Sequence, residues 1–192
     1  MSAIEDKWNK IYSQQNCSDI TPSTILQENS HLLPSTGKAL DIACGMGANA
    51  IFLAKHKLRV DAWDISSTAL KKLNQYCQLN NLSINTCVRD VEKTPPEIDC
   101  FDVVTVSHFL HRPTFHTLCE SLRVDGLLFY QTYTLDRAYQ AGPTNPDYLL
   151  NKNELLKCCD GMEILVYREE GTQGDIQLGW RNQAMIVAKR VN

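Results

Sequence analysis

A doubly wound α/β fold with a seven-stranded, mostly parallel sheet is what this sequence predicts, on three observations. From Lys38 onward short apolar runs alternate with helical patterns, the signature of βαβ units. The connection after the first run is built of small residues, as a turn from strand into helix requires. The last two apolar runs are joined by a Gly-rich polar connection, which reads as an antiparallel hairpin rather than another crossover. Ala39 to Ala43 is the first strand, followed by a helix from Asn49 to His56, and Leu58 to Trp63 is the second strand. Ser66 or Ser67 caps the next helix, whose apolar Ala69, Leu70, Leu73 and Cys77 follow helical spacing. Ile84 to Val88 is a third strand, and Pro95-Pro96 rules out a long regular helix after it. Phe101 to Ser107 and Leu127 to Thr132 are strands four and five. Asn151 and Glu154, at capping-box spacing, open a helix through Leu155-Leu156, and Met162 to Tyr167 and Ala184 to Ala188 close the sheet.

A chain of 192 residues suits one domain with a sizeable core, here read as residues 37–192 with residues 1–36 as a helical cap anchored by Trp8 and Tyr12. No apolar stretch approaches the roughly 20 residues that span a bilayer. Met1 to Gln15 is polar and mixed in charge, unlike a signal or transit peptide, so the expected compartment is the cytoplasm. Of the eight cysteines, Cys44, Cys77, Cys87, Cys100 and Cys119 fall within or beside predicted elements, as reduced apolar fillers would, and no CxxC pair suggests a metal. A formal net charge of −3 without a long basic run argues against nucleic acid.

The chemistry concentrates in Leu40-Asp41-Ile42-Ala43-Cys44-Gly45-Met46-Gly47-Ala48-Asn49-Ala50. A small-residue loop at a helix N-terminus lets a ligand approach the backbone closely. Gly45-x-Gly47-x-x-Ala50 fits a dinucleotide fingerprint, with Asp64 at about the right distance for a ribose. Asp41-x-Ala43-x-Gly45-x-Gly47 fits instead a methyltransferase loop with Ala43 in place of its first glycine. Asp41 favours the second reading, because a carboxylate at that strand end repels a pyrophosphate and attracts the ammonium of S-adenosylmethionine. Asp64, ending strand two, can accept from both ribose hydroxyls; Asp90, after strand three, is placed for an adenine amino group, with Ile65 and Val91 as apolar walls.

With Ala62-Trp63-Asp64-Ile65-Ser66, Arg89-Asp90, Phe101-Asp102-Val103-Val104, Leu127 to Thr132 and Gly142-Pro143-Thr144-Asn145-Pro146 beside that loop, the chain resembles a class I methyltransferase of the Rossmann-like kind. More narrowly, it is similar to the small tellurite-resistance type and its bacterial relatives, from about Trp8 to the C-terminus. The resemblance implies a sheet whose last strand is antiparallel and S-adenosyl-L-methionine as cofactor. Carried over by position, it places Asp41, Ala43, Cys44, Gly45, Met46, Gly47 and Asn49 in the cofactor loop, with Asp64 at the ribose. It sets Asp90 and Val91 by the adenine, and Ser107 and His108 beside the methionine.

The acceptor is less legible, since methyl transfer depends chiefly on positioning and a dedicated base is optional. After strand four the chain reads Ser107-His108-Phe109-Leu110, not the Asn/Asp-Pro-Pro-aromatic motif of amino-directed nucleic-acid enzymes, and no Pro-Cys dipeptide supplies a cytosine-directed nucleophile. His108 and His111 are candidate general bases. Tyr130, Gln131 and Tyr133 at the end of strand five, with Arg112, are candidate acceptor contacts, and residues 136–150 are either a lid or an ordered connector. No metal site is expected. The favoured partner is a small-molecule acceptor: a thiol, a chalcogen or a metalloid oxyanion. The rivals are an RNA or protein methyltransferase, a nicotinamide-dependent oxidoreductase, and a non-catalytic cofactor-binding protein.

Overall fold

A computed structural model describes residues 3–16 and 20–191. Seven strands form one sheet: β1 (Lys38–Ile42), β2 (Arg59–Asp64), β3 (Ile84–Val88), β4 (Phe101–Ser107), β5 (Leu122–Tyr133), β6 (Glu163–Arg168) and β7 (Gln183–Lys189), in the order β3-β2-β1-β4-β5-β7-β6. β1 pairs in parallel with β2 and β4, while β7 runs antiparallel between β5 and β6. The predicted architecture is therefore the observed one. The order reverses at β1/β4, which puts the switch point, where ligands settle in open α/β sheets, beside the Asp41 loop.

Alternation along the strands sends side chains to two cores. Leu40, Ile42, Val104, Val106, Leu128 and Tyr130 pack on one face under α5 (Phe115–Ser121) and α6 (Glu154–Cys158). Ala39, Val60, Ala62, Val103, Phe129 and Val187 pack on the other. There they meet α2 (Thr24–Glu28), α3 (Ala48–Lys55) and α4 (Ser67–Leu79). α4 starts where Ser66 caps it, its Oγ accepting from the Ala69 N–H at 3.1 Å. α1 (Ala3–Ser13) lies against α4 and contributes no fully buried residue.

Most bounds fall within a residue or so of expectation, α5 is an element the sequence reading does not assign, and two others differ more. β5 begins five residues early at Leu122, through an irregular pairing with β4; exposed Arg123, Val124 and Asp125 hide that extension from any apolar pattern. α6 begins at Glu154, because Asn153 is left-handed (φ 58°); Glu154 still accepts from the Asn151 N–H at 2.7 Å, one half of a capping box.

The glycine loop is held by close packing. Gly47 is left-handed (φ 82°), and a Cβ there would lie 2.5 Å from Cδ1 of fully buried Leu73 on α4. Gly47→Ala is therefore expected to lower the unfolding free energy by about 1–3 kcal/mol, read as a fall in thermal midpoint. An unchanged midpoint would contradict this packing.

Candidate functional site

The C-terminal ends of β1, β2 and β4 meet at one crevice. Asp41, the penultimate residue of β1, is buried beside the start of α3, where its Oδ2 accepts from the Ala50 N–H at 2.9 Å. Its Oδ1 is buried without a hydrogen-bond partner among the described residues. Burial pushes the Asp41 carboxyl up to about 8, against the opposing interactions of the Ala50 amide and the Asn49 side chain. Asp64, the last residue of β2, is also buried and accepts from the Gly45 N–H at 2.8 Å and the Ser66 N–H at 2.7 Å. Desolvation raises its carboxyl too, with those amides working the other way.

Between the two carboxylates the loop runs through three left-handed residues: Ala43 (φ 50°), Gly45 (φ 54°) and Gly47. Ala43 thus adopts the conformation a glycine there would supply, so the substitution keeps the loop's shape at a local steric cost. Cys44 turns its thiol toward the Gly45 carbonyl, and burial raises that thiol. Met46 is buried, and Asn49 bridges the crevice: its Nδ2 donates to Ser107 Oγ at 3.0 Å, and its Oδ1 accepts from the Ser23 N–H at 2.8 Å.

At the β3 side Val91 is buried on the Trp63 core and Ile65 is half-buried. Asp90 is half-buried and paired with Lys93 at 2.7 Å, a contact that holds its carboxyl below the usual range. It also accepts from the Glu92 N–H, so part of its hydrogen-bonding capacity shapes the turn.

A second cluster lies at the adjoining ends of β4, β5 and β7. His108 follows Ser107 in a left-handed conformation (φ 55°), uncommon for a residue other than glycine and characteristic of sites where geometry is imposed. Its ring stacks on Tyr133 with centroids 4.9 Å apart, and its Nε2 lies 3.1 Å from Gln183 Oε1. That same oxygen accepts from Gln131 Nε2 at 2.9 Å. An acceptor oxygen opposite Nε2 assigns the proton to Nε2 and leaves Nδ1 with the lone pair. Burial keeps His108 below its ordinary value, hence neutral at neutral pH. Residues 136–150 reach this cluster from outside, where Gly142 (φ 74°) approaches the Tyr133 ring so closely that a Cβ would sit 2.6 Å from Cδ1.

Several expected site residues are placed elsewhere. Tyr130 is fully buried on the opposite sheet face, its hydroxyl donating to the Phe109 carbonyl at 2.6 Å and its ring against Phe115, so it is a core residue and not an acceptor contact. Arg112 is spent internally: it grips Glu154 through Nε and Nη2 and donates to the carbonyls of Asp147 and Leu149. That clamp pulls the Glu154 carboxyl down to about 2 and ties the 146–149 turn to α6, so Arg112 is a brace for the connector. Gln131 sits at the cluster with its Oε1 occupied by the Ile25 N–H at 2.9 Å. His111 faces Glu92 at 3.9 Å, and His116 pairs with Glu120 on the surface, so the three histidines do not converge. Among the described residues no group of three or more metal-ligating side chains comes together.

Sequence reasoning missed two residues. Gln183, the first residue of β7, reaches the cluster only because β7 is antiparallel and pairs it with Tyr133. Tyr12, read only as an anchor, lies over the loop: a Cβ on Gly45 would be 2.6 Å from its hydroxyl.

Comparisons with known proteins agree with this geometry. Residues 39–126 match a family model described as a methyltransferase domain, a span that contains the loop, Asp64 and the β4 end. A ubiquinone biosynthesis O-methyltransferase of Coxiella burnetii is 24% identical over 153 residues, covering 77% of this chain. The chain spans only 65% of that relative's length. TehB of Haemophilus influenzae, a probable S-adenosyl-L-methionine-dependent methyltransferase, is 26% identical over 88 residues, 45% of this chain and 31% of the relative. The crystal structure of TehB superposes with a TM-score of 0.71 at 21% identity, covering 97% of this chain and 66% of that one. By its fold the chain is like the Rossmann-like S-adenosylmethionine-dependent methyltransferases, and the segment that carries its glycine loop matches a methyltransferase domain.

Proposed function

We propose that this chain transfers a methyl group from S-adenosylmethionine to a small-molecule acceptor carrying a thiol or hydroxyl nucleophile. The observation that carries the reading is Asp41: a buried carboxylate with an unpartnered oxygen beside a left-handed glycine loop. A cationic ligand can ionise that carboxyl and pair with its free oxygen, a compensation that a pyrophosphate cannot supply, which separates this reading from a nicotinamide oxidoreductase. Asp41 and the loop from Ala43 to Gly47 would hold the methionine end, Asp64 the ribose, and Val91 with Ile65 the adenine. When bound, the cofactor supplies a methyl group activated by a sulfonium, open to in-line displacement.

The chain's own residues then have two tasks. The buried carboxylates Asp41 and Asp64 line the cofactor end, and the His108–Tyr133–Gln131–Gln183 cluster orients the acceptor at the more open end. We assign to His108 Nδ1 the acceptance of the proton that a thiol or phenol gives up, a role open to a neutral imidazole. The cluster is aromatic and uncharged, which suits a small neutral acceptor better than a polyanion. The names of the relatives support the same class, one being an O-methyltransferase of quinone synthesis.

Calorimetric titration with S-adenosylmethionine, S-adenosylhomocysteine and NADH tests the cofactor reading. Micromolar binding of the first two and none of NADH is expected; binding of NADH alone would overturn it. A panel of thiols, phenols, metalloid oxyanions and RNA then tests the acceptor class, and turnover of RNA alone would contradict a small molecule. Asp64→Ala is expected to weaken S-adenosylhomocysteine binding by roughly 1–3 kcal/mol through lost ribose hydrogen bonds. Unchanged affinity in the folded variant would remove Asp64 from the ribose.

Affinity should also depend on pH with a definite sign. Around Asp41 stand Asp64, the Cys44 thiol and the Tyr12 hydroxyl; the Ala50 amide and the Asn49 side chain favour its ionised form, but among the described residues no cation holds it there. With its carboxyl near 8, the free protein is protonated there at neutral pH, and a cationic ligand must expel that proton. Binding of S-adenosylmethionine should therefore tighten as pH rises from about 5.5 to about 7.5, by up to about tenfold per unit. An affinity flat across that range would contradict the cationic role of Asp41.

A further inference from the structure

We infer that the N-terminal helix completes the cofactor site, with Tyr12 as a cofactor-contacting wall and Asn9 and Lys72 as the latch that holds it there; this rests on the cofactor reading above. α1 buries none of its residues fully, and Trp8 stays 37% exposed, so apolar packing alone does not explain its position. What holds it is a reciprocal pair of caps. Asn9 Oδ1 accepts from Ser66 Oγ at 2.7 Å and from the Thr68 N–H at 3.1 Å, joining Ser66 at the N-terminus of α4. One turn along α4, Lys72 Nζ donates to the carbonyls of Tyr12 at 2.6 Å, Ser13 at 3.2 Å and Gln15. An ammonium on the last carbonyls of a helix is favourable both as hydrogen bonding and against the helix dipole.

The latch sets one side chain over the loop. Tyr12 stacks on Trp8, 5.8 Å between centroids, and its hydroxyl rests against Gly45, whose missing side chain leaves room for it. Its surroundings are Asp64, Cys44 and Asp41, the groups assigned to the ribose and methionine ends of the cofactor. A broad, rigid ring at that point covers a ligand lying on the loop and shuts out water, while a helix held by polar caps can lift to admit it.

Wild type, Tyr12→Phe, Tyr12→Ala and Lys72→Ala should be titrated with S-adenosylhomocysteine and followed by stopped-flow Trp fluorescence, with circular dichroism as the control for folding. Tyr12→Ala should weaken binding by about tenfold or more, through lost ring burial, and Tyr12→Phe should restore affinity to within about threefold. Lys72→Ala should speed dissociation. Hydrogen exchange across residues 3–16 of the wild type should slow when ligand is added. Folded Tyr12→Ala binding as tightly as wild type, or more tightly, would overturn the inference, as would exchange in residues 3–16 indifferent to ligand. A wild type that binds no S-adenosylhomocysteine would instead sink the cofactor reading itself.

Discussion

Three hydrogen bonds donated by backbone amides to two buried carboxylates organise this molecule's working end. Asp41 takes the Ala50 amide and so fixes the first turn of α3; Asp64 takes Gly45 in mid-loop and Ser66 at the head of α4. Each bond anchors a segment to the end of a different strand, and together they hold the left-handed path of the loop. The arrangement carries a cost, since desolvation raises both carboxyls. With Asp41 near 8 in the fold and near the ordinary carboxylate range when unfolded, the ligand-free fold loses stability on this group as pH rises between those values. A site that is least comfortable when ionised and empty is one suited to a cationic ligand.

The acceptor side depends on a different constraint, the reversal of β7. Because β7 runs antiparallel to β5, its first residue lies beside the last residue of β5, and Gln183 comes level with Tyr133. The two glutamine amides then link into a short chain that begins at the Ile25 amide and ends on His108. The chain fixes the imidazole tautomer and explains how a strained backbone at His108 is sustained.

Much of this was legible in the residues. β-branched runs such as Phe101 to Ser107 marked the strands, and Gly45 and Gly47 marked the loop. The acidic residues at strand ends fell at the crevice because parallel strands direct their C-terminal ends there. Other features turn on contacts between distant segments. Alternation separates Tyr130 from Gln131, but only the placement of α5 and α6 shows that Tyr130 faces a closed core. Arg112 reads from the sequence as a candidate acceptor contact, and nothing local announces that Glu154, 42 residues away, will occupy it. Tyr12 stands 33 positions before Gly45, beyond the reach of any periodicity.

The most direct test of the central claim is proton release on S-adenosylmethionine binding, measured by calorimetry at pH 6.5 in two buffers of different ionisation enthalpy. A buried Asp41 that must ionise to meet the ligand predicts release of about one proton per site. No release, with binding intact, would mean that Asp41 is already ionised or does not meet the cation, and would contradict the account.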